Sequence, residues 1–151
     1  MTLYRTGRTR AAFFATLICL WWGSAQAAPL ITDDEAQRPD DTQATATRGI
    51  TRGPTVRFEA PQNVPVPHKP FDFRVHFDAH GGSKIDPGSV RITYLKTPNV
   101  DLTPRLRPYI SADGIDMAQA EVPAGEHTLK VELQDTDGHA GESVFTMTVP
   151  K

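Results

Sequence analysis

Five histidines, His68, His76, His80, His127 and His139, all lie beyond position 67 of the chain, and they are the residues best equipped for chemistry. Imidazole is the commonest protein ligand for copper and zinc, and this sequence has only one cysteine to compete with it. His76, His80 and His139 are the candidate ligands for such an ion. His76 and His80 stand about 13 Å apart if the backbone between them is fully extended, so they share an ion only if the loop after His76 folds back. The sequence contains no HxH pair, and no HxxxH pair on a helix. His127 reads differently. It falls in phase with Leu129, Val131 and Leu133, which points it inward and makes it a structural residue.

Calcium is a weaker possibility. The run Asp135-Thr136-Asp137-Gly138 has the acidic opening of an oxygen-ligand loop but lacks the later ligands and the closing Glu. A hairpin turn accounts for it without an ion: Asp135 accepts backbone hydrogen bonds and Gly138 takes a positive φ. Nucleophilic catalysis finds no footing, because Ser83, Ser89, Ser111 and Ser143 lie outside any GxSxG elbow. The expectation is a non-catalytic protein.

Surface recognition is the reading that remains. Residues 95–117 are the least strand-like stretch and carry Lys96, Arg105, Arg107 and Tyr109, of which Arg and Tyr are types enriched at binding hot spots. These four are the candidate contacts for another envelope or secreted protein. The competing reading makes the stretch an irregular crossover with Tyr109 packed beneath it.

The elements that must position these residues are strands. In Phe71–Asp78 the odd positions are apolar and the even ones polar, a period of two. The same alternation runs through Val90, Ile92 and Tyr94, then Leu129, Val131 and Leu133, then Phe145, Met147 and Val149. Shorter strands are expected at Val56–Phe58 and Gly114–Ala120. Gly81-Gly82, Asp86-Pro87-Gly88, Pro98-Asn99, Asp113-Gly114 and Asp137-Gly138 punctuate them. Thr103-Pro104 predicts one helical turn with Thr103 as its N-cap. Short strands with one apolar face must pack face to face, which predicts an all-β antiparallel sandwich of about seven strands over residues 54–151.

Upstream, residues 1–27 read as a cleavable signal peptide. Arg5, Arg8 and Arg10 precede the apolar run from Ala11 to Trp22, and Ser24-Ala25-Gln26-Ala27 offers a small-x-small cleavage pattern. Twelve residues are too few to span a membrane, which takes roughly 20. The expected location is therefore the periplasm or the medium, with no integral span after cleavage. Residues 28–53 are poor in large apolar side chains and predict a disordered linker. The whole chain has 16 basic and 18 acidic residues, a net charge of −2. Loss of the signal takes three arginines and the lone Cys19 with it, leaving an acidic, cysteine-free protein. That balance argues against nucleic acid as a partner.

The motif Ile85-Asp86-Pro87-Gly88-Ser89-Val90, followed by Val100-Asp101-Leu102-Thr103 and Arg105, resembles bacterial immunoglobulin-like domains of secreted and envelope proteins. The second half, Pro123-Ala124-Gly125-Glu126-His127-Thr128-Leu129 through Asp135, Gly138, Phe145 and Val149, is similar to the ending of that family. The usual Asn after the Gly of the final hairpin is His139 here. The resemblance implies an immunoglobulin-like sandwich serving as a binding or accessory module, or as a structural spacer; no cofactor is expected unless the histidines hold copper or zinc.

Overall fold

The computed structural model describes residues 28–41, 53–59 and 66–151. The expected signal peptide and residues 42–52 of the expected linker lie outside them. Among the described residues, eight strands form two four-stranded sheets. The first sheet contains β1 (Ala28–Pro29), β2 (Thr55–Glu59), β3 (Phe71–Asp78) and β6 (Gly114–Glu121), in the order β1-β6-β3-β2. The second contains β4 (Arg91–Tyr94), β5 (Val100–Asp101), β7 (Gly125–Gln134) and β8 (Ala140–Val149), in the order β5-β4-β7-β8. Seven of the strands pair antiparallel, and β1 pairs parallel with β6.

The period-two segments become strands because alternation puts every apolar side chain on one face. In β3, Phe73, Val75 and Phe77 are buried while Asp72, Arg74 and His76 face solvent. In β7, His127, Leu129, Val131 and Leu133 are buried. The two inner faces share one core that includes Phe73, Ile92, Tyr94, Met117, Leu129 and Val131. Phe58 of β2 stacks on Phe145 of β8, with ring centroids 4.4 Å apart, and closes one side of the sandwich. Among the described residues, no helix is long and apolar enough to cross a membrane.

A short helix, α1 (Asp33–Ala36), follows β1, and α2 (Thr103–Leu106) and a 3-10 turn (Arg107–Tyr109) follow β5. The α2 turn forms where Thr103-Pro104 predicts it, but Leu102 is its N-cap. Thr103 does not cap it because its Oγ1 accepts a hydrogen bond from Ile92 N at 3.0 Å, holding the turn against β4 instead.

The expected disorder of residues 28–53 does not hold for 28–41, which cross the end of the sandwich as a strap. Leu30 and Ile31 are 0% and 2% exposed and belong to the core. Glu35 is the centre of the clamp. Its carboxylate accepts Thr32 N in a capping box and receives Arg105 Nη2 and Nη1 at 2.7 and 2.8 Å. Arg105 Nη1 also donates to Leu30 O at 2.9 Å. Farther along, Thr97 N donates to Pro39 O at 2.8 Å, and Lys96 pairs with Asp40. Composition could not reveal this order, because two adjacent apolar residues supply the anchor and distant cations satisfy the acids.

Hydrogen bonding to Arg105 lowers the Glu35 pKa from 4.5 to about 2 against the opposing effect of burial. A depressed carboxylate pKa stabilises the fold fully above the unfolded value, and that stabilisation is lost as pH falls through the folded value. Wild type should therefore exceed Glu35→Gln in unfolding free energy by about 2–3 kcal/mol near neutrality. The gap should close between pH 4.5 and 2, as measured by urea unfolding at each pH. A gap that does not change with pH contradicts the clamp.

Candidate functional site

The ten-pair register between β7 and β8, from Gly125↔Val149 to Gln134↔Ala140, leaves residues 135–139 as the connecting turn. Asp135 organises it. Its Oδ1 accepts Asp137 N at 3.0 Å and His139 N at 2.8 Å. Its Oδ2 lies 3.0 Å from Ser83 Oγ and 3.1 Å from His139 Nδ1. Gly138 has φ 83°, where a side chain would be strained, and its N–H donates to Asp135 O. Burial alone would push the Asp135 carboxyl up, but the hydrogen bonds from His139, Ser83 and Asp137 outweigh it and hold the group below the usual aspartate range. The carboxylate is anionic at neutral pH.

This geometry gathers metal-ligating atoms. One ligand atom each from Asp135, Asp137 and His139 lie within 4.8 Å of one another. Asp135 is buried at the base, whereas Asp137 and His139 are exposed at the tip. The spacing i, i+2, i+4 was the available sequence signal: on a flat strand it makes a row, and a turn wraps it into a cluster. Of the three candidate histidines, only His139 is in this cluster. His76 points out from β3 with Nε2 3.2 Å from Glu59 Oε2, and His80 Nε2 meets Thr55 Oγ1 at 2.9 Å. The two are not brought together, because each side chain is turned toward β2.

The recognition patch is also divided. Lys96 is 5% exposed, held by Asp40 and lying 5.4 Å from the Tyr94 ring centroid. Burial would pull the Lys96 ammonium down, but Asp40 and Tyr94 raise its pKa above the ordinary lysine value. Arg105 is half-buried in the clamp with Glu35. Both are therefore engaged inside the molecule, because their counter-ions come from the strap. Arg107 and Tyr109 remain exposed on the 3-10 turn, which Leu102 and Leu106 anchor in the core.

His127 is 1% exposed and bonded at both nitrogens. Nε2 lies 2.9 Å from Pro123 O, which can only accept, so Nε2 carries the proton. Nδ1 then accepts from the Tyr94 hydroxyl at 2.9 Å. Burial lowers the His127 pKa despite the bond to Pro123, so this neutral tautomer persists. A shallow groove of about 470 Å³ lies over Lys96 and His127, between the strap and the ends of β7 and β8. Both groups at its base already have partners, and it contains no nucleophile–base pair.

No family model and no curated protein matches this sequence. Among solved structures, the chain is similar to the crystal structure of CopC from Methylosinus trichosporium OB3b. The similarity has a TM-score of 0.39 and 15% sequence identity, and it covers 64% of this chain and 94% of that one.

Removing the Tyr94 hydroxyl leaves His127 Nδ1 buried without a donor. Tyr94→Phe should lower the unfolding free energy by about 1–3 kcal/mol, measured by chemical denaturation at pH 7. A neutral substitution contradicts the assigned tautomer.

Proposed function

We propose that this protein is a non-catalytic exported sandwich module that binds a divalent transition-metal ion at the β7–β8 turn. The carrying observation is the convergence of Asp135, Asp137 and His139 within 4.8 Å. A donor set of one imidazole and two carboxylates suits Cu²⁺ or Zn²⁺ better than Ca²⁺, which takes six to eight oxygens. Bonds of about 2.0–2.2 Å to nitrogen and oxygen require the exposed Asp137 and His139 side chains to draw in slightly, while buried Asp135 stays as the fixed base. The ion replaces the contact that joins His139 Nδ1 to Asp135 Oδ2. Isothermal titration of the signal-free protein with Cu²⁺ and Zn²⁺ should give a saturable single-site isotherm that His139→Ala removes without changing the circular dichroism. The absence of saturable heat in wild type overturns the proposal.

A second reading, recognition of another envelope protein, is supported by the exposed pair Arg107 and Tyr109 on a braced turn. Arg107→Ala combined with Tyr109→Ala should abolish retention of a periplasmic partner in affinity capture while the melting curve stays the same. Unchanged retention sinks this reading.

A further inference from the structure

Resting on the metal-binding reading above, we infer that His80 is a second imidazole ligand of the same ion, delivered by the loop that follows β3. Three consecutive contacts of 2.7, 3.0 and 3.1 Å lead from His80 O through Ser83 Oγ and Asp135 Oδ2 to His139 Nδ1. Further bonds hold the two loops together. Thr136 N donates to Lys84 O at 2.7 Å, Lys84 N donates to Thr136 Oγ1, and Ile85 forms a bridge with Asp135. The backbone of His80 is therefore tied to the turn that carries the other ligands.

In this structure the His80 side chain turns toward β2, and it must swing to join them. The His80 ring is exposed, and it meets the exposed hydroxyl of Thr55, a bond that water replaces at little cost. Gly81 and Gly82 follow at φ 69° and 86°, and nothing lies within 4 Å of where their Cβ atoms would be. The loop that carries His80 is therefore open at its two glycines. Ser83 contributes as well. Its single hydroxyl proton lies between His80 O and Asp135 Oδ2, so donation to His80 O frees an Oδ2 lone pair for the ion. The remaining histidines do not fit this role. His76 faces Glu59, His68 faces Asp33, and His127 is buried with both nitrogens bonded. Two imidazoles with Asp135 and Asp137 complete a four-ligand set, the number that small N,O sites for zinc hold.

The test is electron paramagnetic resonance of the signal-free protein loaded with Cu²⁺, with parallel calorimetry. Wild type should show coupling to two imidazole nitrogens. His80→Ala and His80→Gln should both show one, and both should bind more weakly by more than the roughly 100-fold that loss of an outer-shell partner costs at most. His76→Ala should match wild type. A wild-type spectrum with one imidazole, or a nitrogen count that His80→Gln does not change, overturns this inference and leaves the His139 site standing. Absence of Cu²⁺ binding in wild type overturns the site itself.

Discussion

The pairing of β7 with β8 is the constraint on which the rest of the molecule depends. Ten consecutive residue pairs without a register shift bind these strands, and β4 pairs with the other edge of β7. A slip of one residue would turn Leu129, Val131 and Leu133 out to water and bring Lys130 and Glu132 into the core. The same register fixes the length of the turn at residues 135–139. The position of Asp135, and with it the whole candidate site, therefore follows from burial of apolar side chains elsewhere on the strands.

The opposite end of the sandwich is finished by polar contacts over long sequence separations. The strap brings Glu35 to Arg105 and Asp40 to Lys96, and Lys96 lies near the Tyr94 ring. Tyr94 in turn donates to His127, which donates to Pro123 O. Among the described residues, no buried side-chain nitrogen or oxygen lacks a partner. That matters because an unpaired polar group here would cost more than its bond contributes. The strap is thus both an apolar cap, through Leu30 and Ile31, and the source of counter-ions for two cations that the sandwich alone would leave without them.

Dense internal satisfaction also explains why the functional reading falls on one turn. Solvent-facing charges of the first sheet neutralise one another, as in Arg57 with Asp78 and Arg74 with Asp72 and Asp116. Lys96, Arg105 and His127 are committed to the fold. At the β7–β8 turn, by contrast, Asp137 and His139 stay exposed beside an anionic, buried carboxylate. A scaffold that spends most of its polar groups on itself leaves few places for a ligand.

Strand positions were legible because period-two alternation is local: Phe71–Asp78 can bury Phe73, Val75 and Phe77 in only one way. The sandwich follows from the same alternation, since apolar faces must meet. The acidic turn and its histidine were visible as types, but not as a cluster. The strap was not legible, because residues 28–41 look too polar to fold until Lys96 and Arg105 arrive from 56 and 70 positions away in sequence. The fates of the charged residues were equally hidden, for the partner that buries a lysine or frees a histidine is chosen in space. Local periodicity, then, set the elements and their inward faces. Only tertiary structure decided which polar side chains were used up in holding the fold and which were left to bind.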